Sequence, residues 1–266
     1  RGYRIWLNRI STSYGTQPAV SPLQWLSKML DKTRTALRPV FIFAHADDAP
    51  LSAFYALQEA GPLALDIVVC AGTTLVCEPG IWDKQCGFSS PQDALMHRLR
   101  EHACVNRSIG VRSIALDVVD GQYGDGQTDM WLRAKHTVIA QMKSSKSNVV
   151  ITHGCKSLHP DHQHVVELAN SAAEDLRVPL VLTCDRPYFS SSACRSEPAS
   201  IHPQRGVTSS FLLSDESWSL KIAAIAFYSS QHGALSAAFG PAWCDEMHLR
   251  LECYSIMPSG SKSIKS

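Results

Sequence analysis

Six residues in two short clusters have the types that hold and use a divalent metal ion. They are His45, Asp47 and Asp48 in His45-Ala46-Asp47-Asp48, and His159, Asp161 and His162 in His159-Pro160-Asp161-His162. Zinc is held by imidazole nitrogens and carboxylate oxygens, and a catalytic zinc takes three protein ligands and keeps one position open. Six candidates for three places leave three groups for chemistry. Water on such an ion has a pKa of about 7, so a neighbouring carboxylate can remove its proton as it attacks a carbonyl. Splitting an amide also requires a group that steadies the oxyanion and protonates the departing amine, which a histidine held by a carboxylate can do. A lone His-Asp pair at a strand end is ordinarily a hydrogen-bonded surface pair; two such clusters in the same setting point to a metal site. On donor type alone Zn, Fe and Co all suit the set. His97, His102, His136, His202 and His248 lack this setting and read as surface residues, while His153, His164 and His232 lie in more suggestive neighbourhoods.

Each cluster follows a hydrophobic strand and precedes a helix. Val40 to Ala44 is a continuous apolar run, the pattern of a parallel strand covered on both faces. Leu65 to Cys70, Ser113 to Val118, Asn148 to Thr152 and Val178 to Thr183 read as further strands. Helices are predicted from Ser21-Pro22 to about Arg38, after Ala49, over Pro91 to Ile109, over Met130 to Met142, from Asp161, and as one long element over Leu213 to Ala238 capped by Ser214 or Asp215. Strands alternating with helices predict an α/β fold, a Rossmann-like three-layer sandwich with a mainly parallel sheet. Ligands of such sheets bind outside the carboxyl ends of the strands, where both clusters fall.

Between these elements, residues 72 to 90 form a long irregular stretch holding Trp82, and are expected to wall the mouth of the site. Asp120 to Gly126 is a glycine-rich turn without the spacing of a phosphate-binding loop, and reads as a substrate loop. Residues 185 to 204, rich in Ser and Pro, read as a surface excursion; residues 1 to 21 read as an arm and 258 to 266 as a frayed tail.

The chain has 266 residues, 45% of them hydrophobic and 18% charged, enough for one domain with a substantial core. The net charge of +1 argues against bulk electrostatic attraction to nucleic acid or anionic membrane. No apolar run reaches the roughly 18 residues of a membrane span, and Arg4, Asn8 and Arg9 interrupt any signal-peptide pattern. Nine cysteines without C-x-x-C spacing predict reduced, small buried side chains, Cys70 and Cys184 among them, and a cytoplasmic setting.

The residues Ala44-His45-Ala46-Asp47-Asp48-Ala49-Pro50-Leu51-Ser52 resemble the first signature, A-H-P-D-D-E, of the LmbE-like (PIG-L type) N-acetylglucosaminyl deacetylases, and His159-Pro160-Asp161-His162-Gln163-His164-Val165 resembles their second, H-P-D-H-x-x-V. The likeness extends to Trp82 through Phe88, to Arg98-Leu99-Arg100-Glu101, and to a late K…Y-x-S-Q pattern at Lys221 and Tyr228 to Gln231. It implies an LmbE-like fold and a zinc-dependent deacetylase. By position, His45, Asp48 and His162 are then the metal ligands, Asp47 the general base, His159 the group that steadies the intermediate and protonates the amine, and Asp161 its orienting partner. Ala46 replaces the usual Pro, and Ala49 the usual Glu, a variant similar to actinobacterial deacetylases of glycoconjugates and sugar-bearing antibiotics. Trp82, Asp83, Arg98, Glu101, Asp120, Tyr123 and Gln231 are candidates for binding the substrate, a small N-acetylated glycoconjugate, with Arg98 and Glu101 alternatively a helix ion pair. The enzyme could be a homo-oligomer. The alternatives are a metal-dependent amidase of thiol conjugates, a non-catalytic sugar-binding relative, and a nucleotide-dependent transferase, the last disfavoured by the missing glycine pattern.

Overall fold

In a computed structural model the protein is described over residues 20–30, 36–73, 78–124, 128–154, 159–188 and 207–257. Most of the predicted arm, all of the predicted tail, and most of the 185–204 excursion lie outside the described residues. Among the described residues, seven strands form one sheet in the order β3-β2-β1-β4-β5-β7-β6. The first five positions are parallel: β3 (Arg112–Ala115), β2 (Leu65–Val68), β1 (Pro39–Phe43), β4 (Val149–Thr152) and β5 (Leu180–Thr183). β7 (Leu251–Ile256) and β6 (Val207–Leu212), which the strand pattern above does not include, extend it by antiparallel pairing.

The apolar run of β1 is explained by its two covered faces. Val40 and Ile42 belong to a cluster with Val138 and Met142 of α5 (Thr128–Ser145) and with Val165 and Ala169 of α6 (Pro160–Leu176). Phe41 and Phe43 face the other way, into a cluster with Trp25 and Leu26 of α1 (Pro22–Met29) and Ala53 and Leu57 of α2 (Asp48–Ala60). This is the three-layer arrangement that the continuous hydrophobicity predicted. The strand order reverses at β1, which lies between β2 and β4, so the crevice at that switch point opens beside the ends of β1 and β4.

Three elements and one cysteine depart from the sequence reading. α1 ends at Met29 instead of running to Arg38, and residues 31–35 lie outside the described residues. The 72–90 stretch is not wholly irregular, because Ile81–Gln85 forms a short helix, α3, with Asp83 Oδ2 accepting from Gly80 N at 3.3 Å. The single long C-terminal helix is two, α7 (Asp215–Ala226) and α8 (His232–Phe239). The break between them is held by Glu101 of α4 (Pro91–Ser108), which accepts from Ser230 N at 2.9 Å and Ser230 Oγ at 2.7 Å and so withdraws that amide from helical pairing. Finally, Cys184 is disulfide-bonded and not a free small hydrophobe, which corrects the reading of wholly reduced cysteines, although Cys70, Cys86, Cys104, Cys244 and Cys253 are free thiols. No described helix is long and apolar enough to cross a membrane.

α7 is tied to the sheet and to α2 by a buried ion pair. Lys221 Nζ lies 2.8 Å from Glu252 Oε1 and donates to the Leu51 and Leu249 carbonyls, while Glu252 also accepts from Tyr55 N and the Tyr254 hydroxyl. Removing one partner of a buried pair strands the other's charge. Lys221→Met is therefore expected to destabilise the protein by about 3–5 kcal/mol, with Glu252→Gln in the same chain recovering part of the loss; urea unfolding of the two variants measures both.

Candidate metal centre

The tertiary fold brings the two clusters into contact. His45 stands just beyond β1 and Asp48 opens α2, while His159 caps α6 and Asp161 and His162 lie in its first turn. Three atoms form a nearly equilateral triangle: His45 Nδ1 to Asp48 Oδ2 is 3.4 Å, Asp48 Oδ2 to His162 Nε2 is 3.3 Å, and His162 Nε2 to His45 Nδ1 is 3.3 Å. A tetrahedral ion with ligand bonds of about 2.0–2.1 Å separates its donors by about 3.3–3.4 Å, so the donor set fits such an ion in both chemistry and spacing.

Outer partners select which nitrogen each imidazole presents. His45 Nε2 lies 3.1 Å from Asp161 Oδ2, which leaves Nδ1 for the triangle. His162 Nδ1 lies 2.7 Å from Asp185 Oδ2, which leaves Nε2. A carboxylate behind each ligating imidazole is the usual support of a metal centre. Asp161 thus stands to His45 as Asp185 stands to His162. Its carboxylate also accepts from Gly121 N at 3.0 Å, an approach that only glycine permits, because a Cβ there would lie 2.6 Å from Asp161 Oδ1. His159 Nδ1 is 3.9 Å from that carboxylate and accepts instead from Asp161 N at 3.3 Å, so the expected orienting contact is made by the backbone.

Asp185 and His153 complete the centre; Asp185 was not among the candidates from sequence, and His153 was marked there only by its neighbourhood and given no role. His153 Nδ1 is 2.9 Å from Asp185 Oδ1, its Nε2 accepts from Ala44 N at 2.9 Å, and its ring stacks on His162 with centroids 3.8 Å apart. Both are fully buried, contrary to the reading of 185 onward as surface, and Arg186 is buried with them. The available signal was position: His153 follows β4 and Asp185 follows β5, as His45 follows β1.

The surroundings favour positive charge. Burial opposes ionisation of His162, but Asp185 and Asp48 prevail and raise it to about 10; burial likewise opposes a charged His45, and Asp161 and Asp48 raise it. Asp48 and Asp185 are held below the ordinary carboxylate range, the nearby imidazoles overcoming burial. Asp47 goes the other way, pushed up to about 6 by burial and then by Asp48. His159 is pushed down to about 4 by burial and then by His45 and His162.

A cleft opens over the triangle, lined by His45, Asp47, Asp48 and His159, and further out by Trp82, Arg98, Asp120, Gln122 and Gln231. Its apolar side is Leu51, Pro187, Tyr188, Leu235 and Phe239. Asp83, Glu101 and Tyr123, also expected to meet substrate, stand behind this lining. Asp83 is buried and binds Arg98 Nη2 at 3.2 Å and the Tyr123 hydroxyl at 2.6 Å; Arg98 Nη1 reaches Asp120 at 3.4 Å. Arg98 and Glu101 therefore form no pair with each other: Arg98 belongs to this acidic cage and Glu101 to the Ser229-Ser230 turn. Gln231 Oε1 accepts from Trp82 Nε1 at 2.6 Å, fixing the indole at the cleft edge.

Residues 40–173 match the sequence profile of the PIG-L family, described as GlcNAc-PI de-N-acetylase. The chain belongs to this family. The reaction class that follows is removal of an N-acetyl group from an amino sugar. The fold is shared with a zinc-inhibited form of the teicoplanin deacetylase Orf2 (TM-score 0.69, 20% identity, 85% of this chain and 100% of that one). It is shared too with the A40926 pseudoaglycone deacetylase Dbv21 (0.69, 19%, 85% and 99%) and with the N,N'-diacetylchitobiose deacetylase of Pyrococcus horikoshii (0.54, 14%, 88% and 91%). Among curated proteins no sequence matches.

Asp161→Asn and Asp185→Asn, each keeping the side chain's shape, are expected to weaken zinc binding roughly 10- to 100-fold. Competition against a chromophoric chelator measures this, and unchanged affinity in both variants would place the ligands elsewhere.

Proposed function

We propose that the protein is a divalent-metal-dependent de-N-acetylase of an amino sugar carried on a larger conjugate, with zinc, iron or cobalt held by His45 Nδ1, Asp48 Oδ2 and His162 Nε2. The observation that carries this reading is the triangle of donor atoms at 3.3–3.4 Å on the floor of a cleft that Asp47 and His159 also line. When bound, a divalent ion there supplies Lewis acidity toward the amide carbonyl and lowers the pKa of water.

The rest is the work of this chain's own groups. Asp47, with a carboxyl near 6, is ionised at neutral pH and basic enough to take a proton from water as the water oxygen adds to the acetyl carbon. Its side chain caps no amide of α2, which leaves the carboxylate to the cleft. His159, neutral at that pH, faces the same cleft and takes up the proton that Asp47 removed from water, passing it to the amide nitrogen as the carbon–nitrogen bond breaks and leaving Asp47 ionised again. One water is consumed; acetate and a free amine leave. Trp82 supplies a ring face for a sugar, and Asp120 and Gln122 supply hydrogen-bonding groups. Asp83, Tyr123 and Glu101 serve this wall from behind. The glycoconjugate substrate is supported by the names of the structural relatives, a teicoplanin and an A40926 pseudoaglycone deacetylase and a chitobiose deacetylase, and by the Ala49 variant of the first motif.

Metal-stripped protein is expected to release no acetate from a panel of N-acetylglucosamine conjugates and to regain activity with one equivalent of zinc, iron(II) or cobalt(II). Zinc is titrated in both sub- and super-stoichiometric amounts, since one relative was solved in a zinc-inhibited form. Asp47→Asn is expected to lower kcat by roughly 100- to 10,000-fold while the metal stays bound. Full activity in the stripped protein would remove the metal from the reaction, and full activity in Asp47→Asn would remove the base.

A further inference from the structure

Tyr228, part of the late sequence pattern, has no part in the chemistry above, yet its hydroxyl donates to the Ala46 carbonyl at 2.8 Å, inside the His45-Ala46-Asp47-Asp48 turn. A phenol has one hydrogen. With it committed to Ala46, the oxygen accepts at its other contact, so His102 Nδ1, 3.2 Å away, is the donor. The other side of the His102 ring, Nε2, lies 2.9 Å from Asn106 Nδ2 and 3.3 Å from Asp66 Oδ2, and Asn106 Nδ2 donates to that same Asp66 oxygen at 3.0 Å. A chain of polar side chains thus runs from β2 through α4 to the backbone of the metal centre.

All four side chains are buried, so His102 is not the surface histidine that its sequence setting suggested. Among the described residues Asp66 Oδ1 and Asn106 Oδ1 have no hydrogen-bond partner. Such a network is costly to bury when partly satisfied, which sets it apart from the apolar core around it. The far end has a specific need for it. Ala46 lies just ahead of α2, whose first bond runs from Leu51 N to the Asp47 carbonyl, and the residue four positions after Ala46 is Pro50, which has no N–H to offer its carbonyl. Tyr228 supplies the missing donor.

The consequence falls on Asp47. An aspartate preceding a helix caps it from an extended backbone. Asp47 instead has helical torsions, φ −95° and ψ −12°, and makes no capping bond. We propose that Tyr228, held by His102, is a positioning residue that fixes the Ala46–Asp47 peptide and thereby keeps the Asp47 carboxylate in the cleft and off the amides of its own helix. This rests on the reading of Asp47 as the base, and on nothing else in the proposed reaction.

The test is Tyr228→Phe, followed by two readouts. In the metal-free protein, the 13C carboxyl resonance of Asp47, assigned with Asp47→Asn, is expected to move as the side chain turns onto the helix. In the zinc-loaded protein, kcat is expected to fall roughly 10- to 100-fold, the effect of about an ångström of misplacement, with KM and bound zinc unchanged. A purely structural tyrosine would lower the unfolding midpoint and leave resonance and kcat alone, and that outcome overturns the proposal. A resonance that stays put overturns it whatever kcat does. If the wild-type protein releases no acetate from any conjugate, the proposed reaction fails and the resonance alone decides on Tyr228. Should Tyr228→Phe not fold, His102→Leu carries the same readouts with the phenol in place, and His102→Asn, whose amide can still donate at the Nδ1 position, is expected to stay within about threefold of wild type.

Discussion

One carboxylate oxygen organises the centre. Asp48 Oδ2 accepts from His45 N at 2.7 Å and lies within 3.5 Å of imidazole nitrogens of His45, His153 and His162. A buried carboxylate is stable only where positive charge or donors surround it, and a buried imidazole pair only where negative charge does. Each half therefore requires the other. The ends of β1 and β4 and the start of α6 must converge for either half to be buried, and the switch point of the sheet is where they do.

From that core the supports spread outward in two directions. Asp161 and Asp185 fix the imidazoles from behind, and the Gly121 and Ala44 amides donate in turn to Asp161 and His153. On the opposite flank, α7 and the turn after it hold the backbone of the first motif: Lys221 on the Leu51 carbonyl and Tyr228 on the Ala46 carbonyl. The late sequence pattern thus has a mechanical meaning, since Ser230 meets Glu101 and Gln231 meets Trp82 in the same segment.

The cleft above has two unlike walls. The polar wall is stiff because Arg98 is caged between Asp83, Asp120 and Tyr123, and much of its hydrogen-bonding capacity is spent within the protein. The apolar wall is aromatic, with Tyr188 edge-on to both His162 and Phe239. A sugar with an apolar substituent has complementary surfaces for both.

By itself the sequence determined the layered α/β architecture, because the period of hydrophobicity in β1 and its helices is set by how each element is covered. It also determined the six residues of the two motifs, because their types and strand-end setting are local. Whatever depends on contacts between distant segments was decided only by tertiary structure. Asp185 lay hidden in a Ser- and Pro-rich stretch, His102 looked like a surface residue on a charged helix, and Asp83 and Glu101 looked like ligands for hydroxyls. Burial against partners 15 to 129 positions away reassigns all four, since a polar side chain's role follows from what meets it when water is removed. The same holds for the long helix expected over Leu213 to Ala238: its apolar spacing carries across the break after Ala226, and the Ser229-Ser230 segment there is held by Glu101, from another element.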